Sequence, residues 1–141
     1  MTATSPTGAC DQPAQRVTCS CKERARSKGY AETILGRKRP LPDIEAKNSI
    51  VRNQAERLAV NSPLQGSQAD IIKMAMIRIE KQLKNREGFM ILQIHDELVF
   101  EVPDGEIESL RKMVTTEMEG VIQLDVPLTV DIQIGKNWAE C

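Results

Sequence analysis

Aromatic residues are scarce in this chain. One Trp, one Tyr and two Phe make up 3% of its 141 residues. That is little for the core of a complete, independent domain, because aromatic side chains bury the largest areas. No run of about 18 apolar residues occurs, so no membrane-spanning helix is expected. The first 25 residues lack the apolar stretch of a secretory signal, and a cytoplasmic compartment is expected. Histidine is limited to His95 and cysteine to Cys10, Cys19, Cys21 and Cys141. The cysteine spacing fits no common zinc pattern, so all four thiols are expected to be reduced and without function. An overall charge excess is absent too: 19 Lys+Arg against 20 Asp+Glu leave −1.

What is present is unevenly placed. The apolar fraction of 40% suffices for one domain, or one piece of a larger one, over most of the length. Residues 22–57 hold ten Lys/Arg against five Asp/Glu, net +5, and the rest is net −6. A basic block of this kind suits either a polyanion surface or a solvated helix face. Residues 1–21 are rich in Thr, Ser, Ala, Pro and Gln without periodicity, and read as a disordered or non-native tail. A hairpin is expected over Tyr30–Leu41, turning at Gly36 and stopped by Pro40 and Pro42. Helical spacing then marks Ser49–Val60. Asn61 is expected to end that helix and Ser62-Pro63-Leu64-Gln65 to start another, with Ser62 and Gln65 as a capping box. The second helix runs to about Asn85, with Ile72, Met76, Ile79 and Leu83 on one face. Two apolar runs, Phe89–Ile94 and Leu98–Val102, read as buried strands. A helix with Ile107, Leu110, Val114, Met118 and Val121 follows, then a last strand, Pro127–Ile134. The fold class is α+β: helices on one face of an antiparallel sheet.

Between the two apolar runs stand His95, Asp96 and Glu97. Two carboxylates at a hairpin tip offer hard oxygen ligands with room for water, which suits Mg²⁺ and phosphate chemistry. An ordinary polar turn would use the same residue types. Neighbouring strand residues face opposite ways, so both carboxylates do not readily share one ion.

The stretch Gln93-Ile94-His95-Asp96-Glu97-Leu98-Val99-Phe100-Glu101-Val102 resembles the C-terminal palm motif of family A DNA polymerases, the bacterial DNA polymerase I type. Three further stretches are similar to the same family in order and spacing. They are Gly29–Thr33 with Gly36–Arg39 and Leu41–Asp43, Ala55–Gly66 with Ala69–Lys73, and Asp125–Leu128 through Gly135–Trp138. The resemblance covers residues 22–141 and implies part of a palm with adjoining fingers-side helices. It implies that Asp96 holds catalytic Mg²⁺, that Glu97 has a secondary role, and that His95 lies near the primer 3′ end. Arg57, Asn61 and Gln65 would contact template and primer in the minor groove, whose acceptors recur in every base pair. Arg37, Lys38 and Arg39 would face phosphate. Primer–template DNA and dNTP are the implied partners.

Each of these residues also has a local role open to it. Gln65 can complete the capping box, Asn61 can cap a helix C-terminus, and Arg57 can pair with Glu56 or Asn53. The resemblance further implies a second palm aspartate and a nucleotide-binding fingers helix, neither of which is found here. The chain alone is therefore expected not to polymerise, because two-metal transfer needs ligands on both ions. The alternatives are a non-catalytic duplex-DNA-binding module and, less directly, a nuclease built on Asp96. An unpaired Phe89–Ile94 edge is expected to cause self-association or poor solubility, and a missing polymerase half is the other partner expected.

Overall fold

A computed structural model describes residues 13–140. Two compact units divide the chain between Gln68 and Ala69.

In the first unit, helix α1 spans Pro13–Lys28. Pro suits a first helical turn, where its missing N–H removes no hydrogen bond. The inner face is Cys21 and Ala25, one turn apart and both buried, while Val17 lies exposed. Small inward residues leave almost no hydropathy period, which is why residues 13–21 read as a structureless tail. They are helical, and residues 1–12 lie outside the described residues. Cys19 is disulfide-bonded, so the expectation of four reduced thiols fails there; Cys21 is free and buried. Gly29 ends α1 in the left-handed region at φ 75°, its N–H donating to the Ala25 carbonyl.

The expected hairpin forms with shorter arms. Strand β1, Tyr30–Glu32, pairs antiparallel with β2, Lys38–Pro40. Gly36, at φ 81°, supplies the positive φ of the loop. A 3-10 turn over Pro42–Glu45 then buries Ile44. The core of this unit is mostly small: Ala25, Ala31, Ala55 and Ala59, with Leu41 and Ile44.

The expected break at Asn61 does not occur. Helix α2 is continuous over Ser49–Leu83, 35 residues, with Pro63 inside it. Proline removes the amide that would bond the Ala59 carbonyl and normally kinks or ends a helix. Here the turn is held from outside. Arg39 Nη1 donates to Ser62 Oγ at 3.4 Å, Arg37 Nη2 donates to the Gly66 carbonyl at 3.0 Å, and the Ile34 N–H donates to Ser67 Oγ at 2.9 Å. Ser67 Oγ in turn donates to the Pro63 carbonyl. Ser62 is therefore a buried mid-helix residue, not a cap.

The second unit contains the C-terminal part of α2, strand β3 (Phe89–Ile94), strand β4 (Glu97–Glu101) and helix α3 (Ile107–Glu119). Ile79, Leu83, Leu110 and Val114 form its core, with Met90, Leu98 and Phe100 packed against them. β3 and β4 form a two-stranded antiparallel sheet whose register slips between Met90 and Leu92. The run expected to be buried is not: Phe89, Ile91 and Leu92 are exposed, and Met90 and Ile94 are only partly covered. A two-stranded sheet offers one packed face, and each strand keeps an open edge. The α+β class holds, with its strands in two separate hairpins. The last expected strand, Pro127–Ile134, is not formed. Its alternation is present, but a strand needs a neighbour to satisfy its amides and carbonyls. Val130 N–H donates instead to Glu119 Oε1 at 3.0 Å.

Candidate functional site

The sites expected from the sequence fall on two scaffolds, one in each unit. In the second unit, His95 and Asp96 form a two-residue turn closed by the Ile94–Glu97 pair. Two-residue hairpins need positive φ, usually from Gly or Asn. Here His95 takes it, at φ 52°. A non-glycine residue held there stores on the order of 1 kcal/mol or more and persists only when its surroundings impose it. Gln93 Nε2 braces the turn by donating to the His95 carbonyl at 2.8 Å. The turn projects Asp96 into solvent, with Glu97 beginning β4 next to it, both exposed. Neither carboxylate makes a hydrogen bond or ion pair among the described residues. Groups of three or more His, Cys, Asp or Glu able to hold a metal are absent among the described residues. The turn thus carries free oxygen donors for one hydrated ion, without a closed cage.

In the first unit, α2 carries Arg57, Asn61 and Gln65. Their spacing of four residues sets them on one helical face over about 12 Å of axis. All three are exposed. This stripe exists because the helix does not break at Asn61. Asn61 is mid-helix and caps nothing, and with no helix start at Ser62 the capping-box role of Gln65 disappears. The pairing of Arg57 with Glu56 does not form either. Glu56 is taken on both oxygens: Lys22 Nζ donates to Oε2 at 2.8 Å and Arg26 Nη2 to Oε1 at 2.6 Å. These two bonds, Lys22 first, hold the Glu56 carboxyl below its ordinary value of 4.5, against a smaller upward push from burial. Arg57 is left without a partner among the described residues. Arg57 and Asn61 line a recess of about 310 Å³ with Thr18, Lys22, Asn53, Glu56 and Val60.

Gln65 lines a second, smaller recess of about 110 Å³, whose other wall is the hairpin: Thr33, Arg37, Lys38 and Arg39. Two of these cations already serve the protein, Arg37 on Gly66 and Arg39 on Ser62. Lys38 Nζ lies 4.8 Å from the centre of the Tyr30 ring, a cation–π distance. The structure brings Arg37, Lys38, Arg39 and Gln65 together, and Arg57 and Asn61 together. The Lys22–Glu56–Arg26 clamp has no local sequence signal. Its members are 30 and 34 residues apart, and only the basic character of residues 22–57 hinted at it.

Residues 14–140 match the model of DNA polymerase family A. Over 118 residues, 82% of this chain, the sequence is 49% identical to DNA polymerase I of Mycobacterium bovis and 50% identical to DNA polymerase I of Streptococcus pneumoniae. The matched stretch is 13% and 14% of those relatives, so the chain spans about a seventh of their length. A solved structure of the POL domain of Pol1 from M. smegmatis, in complex with DNA primer-template and dNTP, is similar with a TM-score of 0.77 and 45% identity. That likeness covers 79% of this chain and 20% of that one. From the first turn of α1 to the penultimate residue, the chain belongs to DNA polymerase family A.

Proposed function

We propose that this chain is part of a DNA-directed DNA polymerase, taking part in template-directed nucleotidyl transfer in cytoplasmic DNA replication and repair. The observation that carries this reading is the free Asp96 carboxylate on a braced, left-handed turn, in a chain of this family. Mg²⁺ fits the donor set, which is oxygen-only, exposed and open to water. Asp96 would hold it, with Glu97 secondary. When bound, the ion neutralises charge developing on the transferred phosphoryl group. His95 would lie beside the primer 3′ end as a hydrogen-bonding side chain. The Arg57–Asn61–Gln65 stripe would donate to minor-groove acceptors, testing pair shape without reading sequence. Arg37, Lys38 and Arg39 would add positive charge along the phosphate backbone.

Two adjacent carboxylates do not by themselves clamp two ions about 3.5–4 Å apart. The chain alone is therefore proposed to be inactive, and to act only with the remainder of a polymerase domain. Primer extension by the purified chain, alone and mixed with a polymerase domain lacking this stretch, tests the reading. Extension is expected only in the mixture, and Asp96→Ala is expected to abolish it. Extension unchanged by Asp96→Ala would overturn the assignment. A second reading, a non-catalytic duplex-DNA-binding module, is favoured by the basic recess around Gln65. It predicts binding that weakens steeply with salt, with no extension in any mixture.

A further inference from the structure

Gln65 lies two residues beyond Pro63, where α2 loses a helical hydrogen bond to proline, and the β1–β2 hairpin is fastened to residues on both sides of it. Pro63 leaves the Ala59 carbonyl without its amide. A helix turn weakened in this way would let the side chains on it wander. Four bonds counter this on either side of Gln65. Arg39 reaches Ser62 and Arg37 reaches the Gly66 carbonyl; the Ile34 amide reaches Ser67, which reaches back to the Pro63 carbonyl. Close approach is possible because residue 66 is glycine. A Cβ there would lie 2.5 Å from Thr33 Cγ2 and 3.3 Å from Arg37 Nη2. The Gln65 amide itself has no partner among the described residues, so the backbone beneath it fixes only where the side chain leaves the helix.

We infer that the β1–β2 hairpin is a clamp that aims Gln65, with Arg37, Arg39, Gly66 and Thr33 as positioning residues for a minor-groove probe. The inference deepens the proposed function and rests on its reading of Gln65 as a contact to duplex DNA. It assigns the hairpin arginines a task that charge alone would not reveal. A phosphate contact acts through charge, weakens binding uniformly and changes the salt slope by about one per contact. A positioning residue acts through geometry, and its loss removes what Gln65 contributes and nothing more.

The test uses the full chain and substitutions that leave charge untouched. Gly66→Ala forces the hairpin off the turn; Thr33→Ser removes the clashing methyl group while keeping the hydroxyl that accepts from the Arg37 amide. Binding to a primer–template with a matched terminus is compared with binding to one with a mispair at the terminus, across a salt series. Gly66→Ala is expected to lower the matched-over-mispaired preference about fivefold, the worth of one hydrogen bond, with an unchanged salt slope. Combining it with Gln65→Ala should cost nothing further, and combining it with Thr33→Ser should restore the preference. Additive losses, or no rescue, would overturn the clamp.

Side-chain amide NMR of Gln65 in the DNA-free protein reads the clamp independently. Gly66→Ala should increase the averaging of that amide, and Thr33→Ser should reverse it. An amide unaffected by Gly66→Ala overturns the clamp even if DNA binding is normal. An amide that loosens as expected, in a protein where Gln65→Ala leaves DNA binding unchanged, upholds the clamp and refutes the minor-groove reading instead.

Discussion

The two units are built on different physics. In the first, the core is mostly alanine, so backbones come close and polar bonds do the holding: Glu56 joins α1 to α2, and the hairpin is stitched to α2 around Pro63. In the second, the core is Ile79, Leu83, Leu110 and Val114 with methionines around it, and the hairpin rides on apolar burial with an outer face left bare. Small-residue packing fixes polar groups to within hydrogen-bond distances. Large-residue packing fixes a sheet face but leaves its turn to be set locally, here by His95. The unit that would read base-pair shape is thus the one held by directional bonds, and the unit that would carry the metal ligand is the one held by area.

Substitutions should separate the two. Ile79 is fully buried, and Ile79→Ala should destabilise the second unit by about 2–5 kcal/mol. Hydrogen exchange should show the loss concentrated in β3, β4 and α3, with the α1 amides little changed. Equal loss in α1 would mean the units are not energetically distinct. Glu56→Gln should cost the first unit less, about 1–2 kcal/mol, since its two bonds are charge-assisted yet partly in contact with solvent. Because its folded carboxyl lies below 4.5, Glu56 contributes stability that is complete above that value. The contribution is lost as pH falls from 4.5 through the depressed folded value. Acid titration of unfolding should therefore show a loss in that window for the native chain, and less of it for Glu56→Gln.

Smaller effects belong to the second unit's surface. His95→Gly should relieve the left-handed φ and change stability by no more than about 1 kcal/mol, while loosening the aim of Asp96. Thermal melts and relaxation of the turn amides would show this as a stable but more mobile tip. Phe89→Lys and Ile91→Lys on the bare face of β3 should alter stability by only about 0.5 kcal/mol. They should nevertheless reduce self-association in sedimentation, since a charged edge disfavours strand-to-strand pairing. A native chain that already sediments as a monomer would remove the basis for this expectation.

Much of the site was legible in residue order. The apolar runs on either side of His95-Asp96-Glu97 announced a hairpin and put its polar residues at the tip. Gly36 between basic arms did the same for the first hairpin. The α3 stripe appeared because Leu110 and Val114 are large and regularly spaced. Other elements were hidden for identifiable reasons. The buried residues of α1, Cys21 and Ala25, are small and produce no hydropathy period. The Pro127–Ile134 alternation was real, yet pairing depends on a partner strand, which alternation does not supply.

Local chemistry determined where turns fall, which residues face a core, and that two oxygen donors stand at a hairpin tip, because each of these depends on neighbours a few residues apart. Tertiary structure decided that α2 runs through Pro63, where proline would normally kink or end a helix and where Arg37 and Arg39 bond the flanking residues Gly66 and Ser62. That continuity is also what aligns Arg57, Asn61 and Gln65, and the capture of Glu56 by Lys22 and Arg26 keeps Glu56 from pairing with Arg57. Contacts between residues some 30 positions apart are invisible in a linear pattern, because only folding brings Lys22 and Arg26 to within 3 Å of Glu56.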